Sequence, residues 1–238
     1  MPELLRVSSV PDIIDTYVRS SDYSPGQAFI GGKGVSAREL TAAELAIFKT
    51  ELAIIAGRQR NPAIADLIAR KAPRVLDLVR VVNYETKQGF KGAGARGNEL
   101  ILNPIRVGDV GRTTWFVSVT ASGAANWIGS SASTRGMTVS SLPVLGHIYL
   151  GFVDQVATPK VDAVQLVKNG DPWPEEVLDF DWRGNADELA LHELKQPWTI
   201  PPAENYYMPV RYYITGDDKL VPIAFAVKRA TDVIAALA

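Results

Sequence analysis

In the first third of the chain, apolar residues recur every three or four positions, which is the spacing of one face of an α-helix. Thr41 and Glu44 precede the main run at the separation of a capping box, and Gly57 follows it as a helix stop. The apolar positions between them are Leu45, Phe48, Leu52 and Ile55. This pattern predicts an amphipathic helix from about residue 41 to residue 56.

A shorter helix is predicted on each side of this run. The first covers residues 12–20, and the second begins after Asn61, a good capping residue, and ends before Pro73. We therefore expect a helical segment over residues 1–73.

The first two helices are separated by residues 20–34, whose Pro and Gly content predicts a loop. Ser36 and Glu39 then repeat the capping-box spacing. They predict that a helix begins soon after the loop.

After Pro73 the pattern changes to short runs rich in Val, Ile, Tyr, Phe and Trp, separated by Gly, Pro, Asn and Asp, which is typical of strands. No long helical pattern lies between these runs, so an antiparallel arrangement is favoured over a parallel α/β sheet. We expect a mainly β domain over residues 74–238, an antiparallel, jelly-roll-like β-sandwich of about eight strands. The candidate strands are 76–85, 99–107, 113–121, 136–140, 144–156, 161–168, 206–215 and 219–228.

Two turn motifs punctuate the strands. The sequence TGDD at 215–218 predicts a hairpin between the last two strands, and KNGDPWP at 168–174 predicts a turn that cannot re-enter a central strand. The second turn opens a long excursion over residues 169–205, rich in aromatic residues and proline. Residues 118–141 are rich in Ser, Gly and Ala, and predict either a long loop or a small-residue packing surface.

Composition narrows the possible chemistry. The chain has 238 residues, 47% of them hydrophobic, and no cysteine, which excludes disulfides, thiolate metal sites and cysteine nucleophiles. No apolar run approaches the roughly 18 residues that span a bilayer, and the first residues lack the pattern of a secretory signal. We expect a soluble protein without a membrane span.

Charge is unevenly distributed along the chain. Residues 58–112 carry a net charge of +6, whereas residues 113–238 carry −5. Such blocks attract each other between neighbouring copies, or turn the basic part toward a polyanion such as nucleic acid. Chance clustering on a solvated surface explains the same numbers equally well.

The motif closest to a known chemistry is G-x-G-x-x-G, formed by Gly92, Gly94 and Gly97. A dinucleotide site needs these glycines to open a helix, whose N-terminus holds the pyrophosphate. Here the residues that follow are β-rich and include a proline. We therefore predict a mobile basic loop between two strands, with the cations Lys87, Lys91 and Arg96 as candidate contacts for a partner.

Other motifs are incomplete. Asp179 and Asp181 stand two apart, as in metal-binding carboxylate pairs, but a solvated strand edge explains them better. His147 lies in an apolar run and is expected to be structural, while His192 stands 45 positions away without a metal-binding partner motif. The sequence thus assigns no catalytic residue, no cofactor and no metal site.

Aromatic residues cluster in and just after the excursion. They allow three interpretations: a cap on the protein's own core, a contact with a neighbouring subunit, or a carbohydrate-stacking surface. The candidate contact residues are Trp173, Trp182, Trp198, Tyr206 and Tyr207.

Between residues 76 and 228, the strand series and the two turn motifs resemble the jelly-roll capsid proteins of icosahedral viruses. The resemblance implies a shell subunit that assembles with other copies of itself and with other shell proteins, in a virion built in the host cytoplasm. In such a shell, the N-terminal helices and the 169–205 excursion would contact neighbouring subunits. The chain departs from many of those proteins in having no strongly basic N-terminal arm.

Three alternatives remain open from the sequence. One is a carbohydrate-binding β-sandwich that uses the tryptophans as its platform. Another is a hydrolase or transferase with a dispersed site around Asp179, Asp181 and a histidine. A less favoured variant of the shell hypothesis has a long spine helix and a mixed sheet, supported only by the helix at 41–56.

Overall fold

The structure is a computed structural model. It describes residues 10–20, 26–30, 33–119, 123–129, 137–138, 144–156, 160–169, 171–172, 178–179, 190–202 and 204–235. None of the described helices is long and apolar enough to cross a membrane.

Five helices are present in this part of the chain. They are α1 (Val10–Ser20), α2 (Ala42–Gly57), α3 (Pro62–Arg70), α4 (Ala72–Thr86) and α5 (Ala230–Ala235). The predicted starts of α2 and α3 are confirmed: Thr41 and Glu44 form a reciprocal capping box, and the Asn61 side chain accepts the N–H of Ala63. The helical expectation for α1 is also confirmed.

The strand predicted at 76–85 is wrong, because these residues form α4. Val75, Val79 and Val82 lie three and four positions apart and are all buried. A run rich in valine thus has helical spacing, and packing on a sheet outweighs the β propensity of its residues. The boundary predicted between residues 73 and 74 consequently falls inside a helix.

The capping box predicted at Ser36 and Glu39 is also wrong. Within the predicted loop lies a small hairpin of β1 (Gln27–Ile30) and β2 (Lys33–Ser36), so Ser36 ends a strand. Glu39 instead forms an ion pair with Arg80 of α4, whose side chain is only 1% exposed.

The prediction of a mainly β, antiparallel protein is confirmed. After α4 the described strands are β3 (Leu100–Pro104), β4 (Phe116–Val119), β5 (Gly123–Ile128), β6 (Met137–Thr138), β7 (Gly146–Asp154), β8 (Val161–Val164), β9 (Val167–Lys168), β10 (Asp171–Pro172), β11 (Leu178–Asp179), β12 (Ala190–Ile200), β13 (Asn205–Tyr212) and β14 (Gly216–Arg229). Each pairing between them is antiparallel.

These twelve strands form eight runs. Two strands that follow one another in the chain count as one run where they pair with successive parts of the same neighbouring run. Runs 1 to 8 are, in order, β3 with β4, β5 with β6, β7, β8 with β9, β10 with β11, β12, β13 and β14. Runs 6-3-8-1 form one sheet, which we call the helix-side sheet. Runs 2-7-4-5 form the other, the outer sheet.

The hairpin predicted at TGDD is wrong. β13 lies in the outer sheet and β14 in the helix-side sheet, so residues 213–215 carry the chain from one sheet to the other. A Gly-Asp turn motif signals a change of direction, but it does not say which strand the chain will pair with.

The excursion predicted over residues 169–205 is interrupted by β12, a strand of eleven residues that pairs with β7 with a register shift between Glu193 and Trp198. Its Pro197 and its charged residues hide the strand pattern in the sequence. A proline is tolerated there because β12 is the edge strand of the helix-side sheet.

Two hydrophobic cores give the molecule three layers. In the first core, the helices α1, α2, α3 and α4 pack against one face of the helix-side sheet, through residues such as Leu78, Ile148 and Phe225. The other fills the space between the two sheets, with Trp127, Phe152 and further large side chains. β7 is buried along all nine residues because it has a core on each face.

Candidate functional site

A buried polar cluster lies between the sheets. His147 and Tyr149 come from β7, Tyr206 from β13 and Lys228 from β14. Asp109 comes from a short 3-10 turn, Val107–Val110, that lies between β3 and β4. Side chains on a strand alternate between its two faces, which explains the direction of Lys228: Ala226 and Ala224, two and four positions earlier, also belong to the inter-sheet core.

Three of these side chains form a hydrogen-bonded chain. The Tyr206 hydroxyl lies 2.8 Å from Nδ1 of His147 and 3.0 Å from the Tyr149 hydroxyl. Burial, and secondarily the Lys228 ammonium, lower the pKa of His147 to about 3. Burial also raises the pKa of both tyrosines. All three groups are therefore neutral at pH 7.

The other two members of the cluster form an ion pair. The Lys228 ammonium donates directly to Oδ1 of Asp109, and the two side chains are 8% and 6% exposed. Oδ2 of Asp109 accepts the backbone N–H of Arg106 at 2.8 Å. A buried pair of this kind is held by its geometry, since each charge would be costly alone.

Of the residues considered for a dispersed site, the structure describes His147, His192 and Asp179, and these three are not in contact in the described part of the chain. His147 is 0% exposed, in agreement with a structural histidine. His192 on β12 pairs with Phe152, about five strand residues or roughly 16 Å along β7 from His147. Asp179 pairs with Ala163 in the outer sheet, and Asp181 lies outside the described residues.

The surface role predicted for Trp198 and Tyr206 is wrong. Both belong to the inter-sheet core and are at most 1% exposed, so neither presents a face to a partner or a sugar. Tyr207, the next residue of β13, is partly exposed, and its contact role stays a prediction. Trp173 and Trp182 lie outside the described residues.

The glycine motif forms a tight turn ahead of a strand. Gly92–Gly94 is a single 3-10 turn, and β3 follows it where a dinucleotide site would require an α-helix. The turn joins α4, not a strand, to β3, which corrects the predicted connection. The backbone N–H of Ala93 donates to the Glu51 carboxylate of α2 at 2.9 Å, which ties the turn to the helical layer.

The three cations named from the sequence lie exposed around this turn. Lys87 ends α4 with a left-handed backbone, and its ammonium stands 4.0 Å from the centre of the Tyr84 ring. Lys91 immediately precedes the turn, and Arg96 lies two residues after it. Their role as partner contacts stays a prediction.

Several basic residues of the block at 58–112 form ion pairs or hydrogen bonds with other groups of the same chain. Arg70 and Lys71 both pair with Glu193, which joins the end of α3 to β12. Arg80 pairs with Asp77. Arg112 donates to three backbone carbonyl oxygens, those of Thr114, Phe116 and Trp127. The net charge of this segment therefore overstates the positive charge that it presents to a polyanion.

Sequence reasoning missed three exposed apolar residues, one on β4 and two in the link between the sheets. Phe116 on β4, Tyr213 and Ile214 are 49%, 51% and 41% exposed. Phe116 pairs with Lys219 of β14, while Tyr213 and Ile214 precede β14. We call these three residues the edge patch. Its signal in the sequence was an aromatic-aliphatic pair placed where a turn was expected.

A groove on the helical layer was also not foreseen. It lies between α1 and α2 and has a volume of about 690 Å³. Asp12 and Asp15 line it from α1, and Lys49 and Ile54 from α2, with Arg58 at its end. Lys49 pairs with Asp15 across it.

Comparison of the chain with protein-family models, curated proteins and solved structures found no match. Among the described residues, no group of three or more His, Cys, Asp or Glu side chains is placed to hold a metal ion.

Proposed function

We propose that this protein is a self-assembling structural subunit with a jelly-roll fold, and that it forms the shell of a virus particle. The order of its eight strand runs is the observation that carries the proposal. The packing of its interior and the position of its exposed apolar side chains add to it.

The strand order agrees with a rolled-up hairpin. One long hairpin of eight strands pairs 1 with 8, 2 with 7, 3 with 6 and 4 with 5, and rolling it brings 8 beside 3 and 7 beside 4. All six neighbours occur here. This strand order supports a jelly roll, a fold used by viral capsid proteins, by lectins and by cupins.

The interior favours a structural use of the fold over a binding one. The space between the sheets holds Trp127, Phe152, Trp198 and the two hydrogen-bonded tyrosines, in edge, tilted or stacked aromatic contacts with ring centres 5.5–6.4 Å apart. Such packing fills the volume in which a barrel would hold a ligand. The buried Trp198 also removes one of the three tryptophans from the proposed carbohydrate platform.

The edge patch supplies a surface for contact between copies. Large apolar side chains that are about half exposed mark interaction sites on soluble proteins. Lys87, Lys91 and Arg96 add a basic contact for the acidic surface of a neighbouring copy, which salt would weaken. Other shell proteins and nucleic acid belong to this proposal as further partners, and the virion and the host cytoplasm as its location.

The patch is tested by the molar mass of the protein in solution, measured by light scattering on a sizing column. We expect the double variant Phe116→Ser, Tyr213→Ser to shift the mass toward the monomer while its circular dichroism is unchanged. The matched control is Tyr17→Ser, which removes an exposed aromatic residue from the helical layer. If the double variant assembles like the control, the edge patch is not a contact between copies.

A further inference from the structure

We propose that Lys228 and Asp109 react to form an intramolecular isopeptide bond, which makes this pair a self-modification site. The inference concerns a covalent bond within one chain. It goes beyond the proposed shell function and does not depend on it.

The two reacting groups are in place. The Lys228 ammonium is in direct contact with Oδ1 of Asp109, and both side chains are almost fully buried. Each is held by regular structure: Lys228 pairs with Ile101 in the sheet, and Asp109 is fixed in its 3-10 turn by the Arg106 N–H. A fixed amine and a fixed carboxyl group react as one molecule, without the entropic cost of bringing two molecules together.

Proton transfer within the pair prepares it for reaction. Amide formation proceeds from the neutral form of the pair, in which a proton has moved from Nζ to Oδ1 across their direct hydrogen bond. The neutral form contains an amine nucleophile and a carboxylic acid, the two reactants of amide formation. Both are unreactive as ammonium and carboxylate in water.

The bond-forming step balances within the pair. The Nζ lone pair attacks Cγ of Asp109, and negative charge develops on Oδ2, which accepts the Arg106 N–H at 2.8 Å as an oxyanion does. Nitrogen then loses its second proton to the departing Oδ1 hydroxyl. The C–Oδ1 bond breaks, one water leaves and an amide remains. No oxidant, reductant or cofactor is consumed.

Neutral, buried side chains lie near the pair. Tyr149, Tyr206 and His147 are fully buried. Burial is the largest cause of the raised pKa of both tyrosines and of the lowered pKa of His147, with smaller contributions from the charge of Asp109 to the tyrosines and of Lys228 to His147. Nε2 of His147 is buried and has no hydrogen-bond partner in the structure. These three residues are near the pair and take no part in forming the bond.

The bond would link the first and last strand runs of the β fold covalently. Lys228 lies in the last strand run and Asp109 between the two halves of the first, 119 positions earlier. A chain without cysteine would thereby gain a permanent cross-link between its first and last strands. Such a link keeps a subunit from unravelling after brief local opening.

The test is the intact mass of the folded, full-length protein, measured after denaturation. We expect the chain to be lighter than its sequence by the mass of one water. A tryptic digest should contain a branched peptide that joins the segment of Asp109 to that of Lys228. A wild-type chain of full sequence mass, after prolonged incubation in the folded state at neutral pH, overturns the proposal.

The matched control is Lys228→Arg, which keeps the positive charge but lacks the amine nucleophile. It should have full sequence mass. Loss of water from this variant as well would mean a cyclised aspartate elsewhere, and would overturn the proposal. If the variant does not fold, the fragmentation spectrum of the wild-type branched peptide decides, because it places the bond at Lys228 and Asp109 or at other residues.

Discussion

The glycines of the G-x-G-x-x-G motif differ in their backbone conformation and in the space available for a side chain. Gly92 has a positive φ of 55°, and an added Cβ would lie 2.7 Å from the Glu51 side chain, whereas Gly94 has open space around it. The motif is therefore a local solution to a tight turn against α2. Its spacing matches a nucleotide motif without the helix that would bind phosphate.

We predict that Gly92→Ala lowers the free energy of unfolding by about 1–2 kcal/mol, because a side chain in the left-handed region is strained and Glu51 must move. Gly94→Ala should change it by less than about 0.5 kcal/mol. Urea unfolding followed by tryptophan fluorescence measures both. Equal losses in the two variants would show that the turn is not packed on α2 as described.

His147 makes stability depend on pH. Its pKa is lowered to about 3 in the folded protein, so the unfolded chain binds the proton first as the pH falls below about 6.5. Above pH 6.5 the contribution of His147 to the free energy of unfolding has its full value. It is lost at up to about 1.4 kcal/mol per pH unit as the pH falls toward 3.

We predict that His147→Gln flattens the fall in unfolding free energy between pH 6.5 and pH 5, by about 1–2 kcal/mol over that interval. His192→Gln, which keeps His147, should retain the wild-type fall. Urea titrations at several pH values give the comparison. A His147→Gln variant with the wild-type slope would contradict a buried, neutral histidine.

Among the helices, α2 shows how a sequence signal becomes structure. The Thr41 hydroxyl accepts the N–H of Glu44, and the Glu44 carboxylate accepts the N–H of Thr41 at 2.9 Å. The same carboxylate also reaches the N–H of Phe90 at 3.0 Å, so the cap fastens the helix to the start of the β domain.

We predict that Thr41→Ala lowers the free energy of unfolding by about 1 kcal/mol, since it removes the cap. Thr50→Ala in the middle of α2 is the matched control. Thr50 is exposed, its hydroxyl bonds only the preceding turn, and alanine is the better helix former there. Thermal unfolding should therefore rank Thr41→Ala below both wild type and Thr50→Ala.

The sequence predicted elements well where a local signal determined them. The caps at Thr41 and Asn61 and most strands from β3 to β14 belong to this group. The prediction failed where tertiary contacts determine the element. The composition of α4 is typical of a strand, and Pro197 and the charged residues of β12 are typical of a loop. The cluster of His147, Tyr149, Tyr206, Lys228 and Asp109 comes from four separate chain segments, and no local pattern connects them.

At the level of the whole protein, the two sheets and the helical layer have different roles. Two sheets around an aromatic interior form a rigid block, and four helices cover one face of it. Phe116 on β4 and the exposed apolar residues before β14 lie outside the four helices. A rigid block with one covered face and a partly apolar edge is suited to contacts with other copies at fixed angles.

Self-assembly is tested most directly by imaging. Purified full-length protein should be concentrated at low and at high salt, separated by size and examined by negative-stain electron microscopy, with the mass of each fraction taken from light scattering. We predict closed particles of uniform diameter, and fewer of them at high salt. A single species of monomer mass at every concentration and salt, with no particles on the grid, would contradict the account of this protein as a shell subunit.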